Sequence, residues 1–183
     1  MAKSFLFLAE GFEEIEALAT IDIIRRASID VLTVSITDRK TVKGAHGVAV
    51  EADMTFKEVD FDGSDWLILP GGMPGAENLH KFGALNDLLR VHHGRIAAIC
   101  ASPSLVLGPT GLLKGVNATC YPGMEADLVE GGAKYRPEER VISEGRYVTA
   151  CGPGATFEFA LKIVALTEGE DRAAQVAAGM LLK

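Results

Sequence analysis

Among the side chains able to do covalent chemistry, Cys100 has the most suggestive setting. The segment Arg95-Ile-Ala-Ala-Ile99 is a short apolar run that reads as a buried strand, and the apolar residues after Pro103 read as a helix. Cys100 falls on the joint, among the small residues Ala98, Ala101 and Ser102 that a sharp strand-to-helix turn requires. A side chain on such a turn projects above the sheet edge, beside the unpaired N–H groups that open a helix. Those donors and the positive helix end are expected to favour thiolate over thiol. An isolated cysteine is more often a small core residue. The strand–Cys–helix setting reverses that reading.

A thiol needs a proton partner and somewhere to place developing charge. Glu13, Glu14 and Glu16 open the helix after the first apolar run, where acids are favoured by the helix dipole alone. Glu16 stands apart because it lies on a helix otherwise crowded with Ile, Leu and Ala. A carboxyl group in an apolar crevice tends to keep its proton, and can donate or shuttle it. Gly71-Gly72 follows another strand, and a glycine N–H there, with that of Ala101, could form an oxyanion hole facing Cys100. His46 sits between Gly44 and Gly47, where it could reach a site. His80, His92 and His93 are expected at the surface. No His/carboxylate spacing suggests a metal, and neither a P-loop nor a G-x-G-x-x-G run is present. Gly152-Pro-Gly154 before a helix reads as a turn.

The elements that must position these groups alternate between strand and helix. Expected strands are Ser4–Ala9, Ile29–Ser35, Asp65–Leu69, the run before Cys100, Val116–Cys120, Arg140–Ser143 and Tyr147–Cys151. Thr41–Lys43 and Val48–Glu51 form a small hairpin excursion. Helices are expected at Glu13–Ala27, Ala76–Val91 with a break near Gly83, Gly123–Glu130, Thr156–Leu166 and Arg172–Leu182. Uniformly apolar short strands between helices mean a mainly parallel sheet covered on both faces, with ligands beyond the strands' carboxyl ends. The first helix is apolar over a wide arc (Ile15, Leu18, Ile21, Ile23, Ile24), enough for the sheet and for a second subunit.

Composition sets the bounds. The 183 residues suit one domain, 1–183, with no linker or repeat; 48% are hydrophobic and 23% charged, an ordinary globular balance. A net charge of −7 argues against nucleic acid or an anionic membrane as partner. Cys100, Cys120 and Cys151 form neither a disulfide framework nor a zinc motif, so a reducing cytoplasm is the expected compartment. Met1–Ala9 is too short and too acidic behind for a signal peptide or membrane span.

These residues carry a resemblance. Ala9-Glu-Gly-Phe-Glu-Glu-Ile-Glu16, Asp22–Ala27, Leu69-Pro-Gly-Gly-Met-Pro-Gly-Ala-Glu-Asn-Leu79, Ile96-Ala-Ala-Ile-Cys-Ala-Ser-Pro103 and Gly152-Pro-Gly-Ala-Thr-Phe-Glu-Phe-Ala160 resemble the ThiJ/PfpI superfamily. Within it they are most similar to the branch of the parkinsonism-associated deglycase and its bacterial relatives. The resemblance implies a flavodoxin-like α/β sandwich, also described as class I glutamine amidotransferase-like, that forms homodimers and needs no cofactor or metal. It implies Cys100 as nucleophile and Glu16 as its acid, with Gly72 and Ala101 at the oxyanion-hole positions. Gly71, His46, Tyr121 and Cys120 map to the pocket. Three departures stand out. The protease-like branch has a histidine after the cysteine, where this chain has Ala101, so peptidase activity is not expected. Tyr121 stands where the deglycase branch has a pocket histidine, and His46 where it has an arginine. Ser102 stands where glycine is common.

The resulting expectation is a cofactor-independent enzyme acting on small reactive aldehydes or glycated substrates, of the glyoxalase/deglycase type. The alternative is a redox-sensing or stress-protective role through oxidation of Cys100. A hydratase or hydrolase activity of the same superfamily is a third reading.

Overall fold

The computed structural model describes residues 3–182, so Met1, Ala2 and Lys183 of the expected domain lie outside the described residues. The chain runs β1 (Ser4–Leu8), α1 (Glu14–Arg26), β2 (Val31–Ser35), β3 (Thr41–Lys43), β4 (Ala49–Glu51), β5 (Met54–Thr55) and β6 (Trp66–Leu69). It continues through α2 (Gly75–Lys81), α3 (Gly83–Val91), β7 (Arg95–Ile99), β8 (Asn117–Ala118), α4 (Ala126–Glu130) and β9 (Lys134–Tyr135). The last elements are β10 (Val141–Glu144), β11 (Tyr147–Ala150), α5 (Thr156–Glu168) and α6 (Glu170–Gly179).

Seven strands make one sheet in the order β10-β11-β7-β6-β1-β2-β5, parallel except for the β10–β11 pair. Because side chains alternate across a strand, each central strand feeds two cores. Leu6, Leu8, Trp66, Ile68, Ala97 and Ile99 pack against α1, α5 and α6 with Ile23, Phe159 and Ile163. Phe5, Phe7, Leu67, Leu69, Ile96 and Ala98 face the other layer, with Leu79, Leu85, Leu89 and Leu128. Full burial of one such side chain is worth about 1.5–3 kcal/mol, which explains why these strands are apolar throughout. The α/β architecture is the expected one, and the break between α2 and α3 falls at Phe82, before Gly83.

Four differences from the sequence reading have physical causes. The helix after Pro103 is only a wide π-type turn, Pro103–Leu107, passing into a tight 3-10 turn at Gly108–Thr110. Gly108-Pro109 ends it, since proline lacks an N–H and its ring opposes the carbonyl four residues back. The strand expected at Val116–Cys120 shrinks to Asn117–Ala118, because Thr119 N–H donates to Thr149 Oγ1 and Tyr121 N–H to the Cys100 carbonyl. Met54–Thr55 adds an edge strand beside β2 that its length conceals. His92 is buried rather than at the surface, with Ser64 Oγ 3.4 Å from Nδ1 and the Arg95 carbonyl 3.2 Å from Nε2.

Strands β1, β6 and β7 therefore end side by side. Their carboxyl edge gathers Glu10-Gly11, Gly71-Gly72 and Cys100, as the sequence reading expects.

Candidate active site

Cys100 leaves β7 at φ +64°, in the left-handed region that costs a non-glycine residue on the order of 1–3 kcal/mol. The neighbours hold it there. Its N–H donates to the Ala150 carbonyl of β11 at 2.9 Å, its carbonyl accepts from Tyr121 N–H at 2.8 Å, and Ser102 Oγ donates to the Pro70 carbonyl at 2.6 Å. Thus the turn is tied to the strand on either side and to the loop behind. The side chain stays close to the surface, with the residue 7% exposed. The backbone N–H groups of Gly72 and Ala101 favour its ionised form, against the larger effect of burial.

Glu16 comes from α1 and is fully buried. Glu13 caps that helix: its Oε2 accepts from the Glu16 N–H at 2.7 Å, fixing the first turn. Glu16 Oε2 accepts from Gly71 N–H at 2.7 Å, a bond spanning 55 residues of sequence. The close approach explains Gly71. A Cβ there would stand 2.6 Å from Cys100 Cβ and 2.8 Å from Glu16 Oε2. Gly72 adopts φ +90°, and a side chain would run into the backbone of Gly11, Phe12 and Glu13.

Burial dominates the electrostatics. It holds the Glu16 carboxyl up to about 7, against smaller opposing pulls from Gly71 N–H and the Cys100 thiol; the charge of Glu13 adds to the rise. Burial also pushes the Cys100 thiol up, followed by the charge and hydrogen bonding of Glu16. The donors expected to favour the thiolate act in that direction, but burial and Glu16 oppose them. The helix start after Cys100 is too short and too distorted to outweigh burial. What the fold does favour is a thiol and a carboxyl that carry at most one negative charge between them across the neutral range. Glu16 Oε1 is buried without a hydrogen bond of ordinary geometry, although the thiol and carboxyl are close enough to perturb each other.

The remaining pocket candidates divide. Tyr121 bonds to the elbow through its backbone, and its half-exposed ring lines an open hollow of about 390 Å³ with Arg140, Cys151 and Gly152-Pro-Gly154. His46 reaches neither Cys100 nor Glu16 by hydrogen bond or ion pair, and its Nδ1 lies 2.8 Å from Glu14 Oε2. Cys120 packs in the opposite core from Cys100, in the cluster that holds Leu128 and Tyr135. The sequence reading missed the anchoring roles of Ser102 and Glu13. An acid three residues before Glu16 at a helix start was the signal available for the second.

An elbow cysteine at the carboxyl edge of a parallel sheet, facing a buried carboxyl and backbone donors, places the molecule among elbow-type α/β proteins. The chain belongs to the DJ-1/PfpI family, whose model matches residues 2–166. It is 37% identical to protein dj-1beta of Drosophila melanogaster over 186 residues, covering 100% of this chain and 98% of that protein. The crystal structure of that fly protein superposes with a TM-score of 0.94 at 35% identity, covering 100% of each chain. The oxidised DJ-1 of Toxoplasma gondii gives a TM-score of 0.92 at 37% identity, covering 100% of this chain and 99% of that one. The glutathione-independent glyoxalase DJR-1.2 of Caenorhabditis elegans is 37% identical over 175 residues, covering 93% of this chain and 91% of that protein. Among the described residues no helix is long and apolar enough to cross a membrane.

Proposed function

We propose that the protein is a cofactor-independent glyoxalase/deglycase-type enzyme with Cys100 as nucleophile. The observation that carries this is the meeting of three things at one sulfur: a strained turn, two backbone N–H donors, and a carboxyl group held up to about 7. The similarity to a protein named as a glyoxalase supports the substrate class.

In this reading Glu16, as carboxylate, takes the Cys100 proton as the sulfur adds to the aldehyde carbon of a 2-oxoaldehyde such as methylglyoxal. The new C–S bond leaves an oxyanion facing the Gly72 and Ala101 N–H groups, which gives a hemithioacetal once protonated. Glu16 then moves the proton from the former aldehyde carbon to the neighbouring carbon, through an enediol, and leaves a thioester. Water cleaves the thioester to lactate and returns the thiol. No net oxidation occurs, because one carbon is oxidised as its neighbour is reduced. A pKa near the working pH suits a group that must accept and return the same proton.

The test is lactate formation from methylglyoxal by wild type, Cys100→Ser and Glu16→Gln. Loss in both variants is expected; equal rates in all three would overturn the assignment. A second reading, oxidation of Cys100 to a sulfinic acid, is favoured by the unpartnered Glu16 Oε1, which in protonated form could hydrogen-bond a new sulfur oxygen. Peptide mass spectrometry after mild peroxide separates it, since modification of Cys120 or Cys151 before Cys100 would exclude it. The exposed Ile15 and Leu18 of α1 are the surface on which a second copy is expected, measurable by analytical ultracentrifugation.

A further inference from the structure

The excursion between β3 and β4 folds back onto the start of α1, and its contact there is unusual. Two carboxyl groups, Glu13 and Glu14, lie side by side with their side chains 9% and 10% exposed. Among the described residues no lysine or arginine pairs with either. The one basic group present is His46, whose side chain is 73% exposed. Its Nδ1 lies 2.8 Å from Glu14 Oε2 and 4.0 Å from Glu13 Oε1.

We propose that Glu13, Glu14 and His46 form a binding site for a divalent transition cation of the Zn2+ class, separate from the Cys100–Glu16 pair. The three donor atoms lie within 4.8 Å of one another. His46 Nδ1 stands 2.8 Å and 4.0 Å from the two carboxylate oxygens, and zinc bonds of about 2.0–2.2 Å would require the three groups to draw together around the ion. Three protein ligands with a fourth position left to water is an ordinary zinc arrangement.

The site is built rather than accidental. Glu14 Oε1 is fixed by the His46 N–H at 2.7 Å and by the Val48 N–H at 3.4 Å, which leaves Oε2 directed at the imidazole. Gly44 makes room for that carboxylate, since a Cβ there would overlap it. Glu13 is held through Oε2 by the Glu16 N–H, while its Oε1 accepts no hydrogen bond among the described residues and lies 4.0 Å from Nδ1. Glu13 thus brings a nine-tenths-buried carboxylate to the same imidazole that Glu14 already holds, so all three donors converge on one point. The donor set of one imidazole and two carboxylates selects borderline cations over Mg2+, which prefers oxygen and retains its waters. The sequence reading finds no metal motif because His46 lies 32 residues from Glu14.

The test is isothermal titration of the full chain with ZnCl2 near neutral pH. One ion per chain is expected, with affinity weakened roughly tenfold or more in His46→Gln and retained in Cys100→Ser. His46 is exposed enough that its replacement leaves the fold intact. Substitution with Co2+ is expected to give d–d bands without a thiolate charge-transfer band. No saturable binding, equal affinity in His46→Gln, loss of binding in Cys100→Ser, or a thiolate band would each overturn the proposal.

Discussion

Cys100 and Cys120 each have a carboxyl group nearby, Glu16 and Glu125, but the backbone treats the two sulfurs differently. Both thiols are raised by burial and by the charge of the neighbouring acid, Cys120 to about 12. Cys120 is 1% exposed and has no backbone N–H on its sulfur to favour the anion; the thiol instead points to the Tyr121 carbonyl at 3.6 Å. Cys100 sits on a strained turn at the sheet edge, with Gly72 and Ala101 N–H groups that favour its ionised form. A carboxyl neighbour therefore does not by itself separate the two sulfurs. In the proposed mechanism the distinction lies in donors that favour the charge and in a partner acid whose own affinity for a proton matches neutral pH.

The sharpest way to break this comparison is to exchange the two sulfurs for oxygen. Cys100→Ser is expected to lower methylglyoxal turnover by about 1000-fold or more, while Cys120→Ser stays within about twofold, measured as initial rates. A comparable loss in both would mean that the donors at the elbow do not decide reactivity.

Next in size is Glu16→Gln, which keeps the shape but cannot take the thiol proton. A loss of about 100-fold in kcat is expected, together with loss of the wild-type rise in rate as pH passes through about 7. The same variant has a second signature. Glu16 holds its proton more tightly in the folded chain than at the ordinary value of 4.5, so folded protein binds more protons between 4.5 and about 7. Stability therefore falls as pH rises through that window. Glu16→Gln escapes the loss, and is expected to be more stable than wild type at pH ~8 by up to about 3 kcal/mol, and similar below pH ~4.5. Thermal unfolding at the two pH values checks the sign.

Smaller effects test the scaffold. Gly71→Ala forces a methyl between Cys100 and Glu16, with an expected cost of about 1–3 kcal/mol by urea unfolding and a loss of activity with it. Ser102→Ala leaves the Pro70 carbonyl without its 2.6 Å donor and is expected to cost about 1 kcal/mol. The nearest strand has its own anchor, so activity should fall less than in Gly71→Ala.

Much of this molecule is legible in its sequence, for physical reasons that differ by region. Phe5 to Leu8, Trp66 to Leu69 and Ile96 to Ile99 are apolar at every position, and a strand with two buried faces can be little else. The small residues beside Cys100 announce the sharp turn. The irregular stretch after Gly108 is less legible, because its backbone donors go to Thr149 and to the elbow rather than to a ladder with its own pattern. His92 reads as a surface residue because a polar helix precedes it; the Ser64 and Arg95 contacts that bury it come from elsewhere.

By itself, then, the sequence determined the two-sided sheet, the edge at which its loops converge, and Cys100 on the sharp turn that ends β7. Periodicity and residue size are local properties, and they suffice for that. Tertiary structure alone decided which way the acid's proton affinity moves, because burial raises it against the opposing Gly71–Glu16 bond across 55 residues. It also decided that His46 meets Glu13 and Glu14 instead of Cys100. Charge and desolvation depend on what packs against a group, and the chain order does not state that.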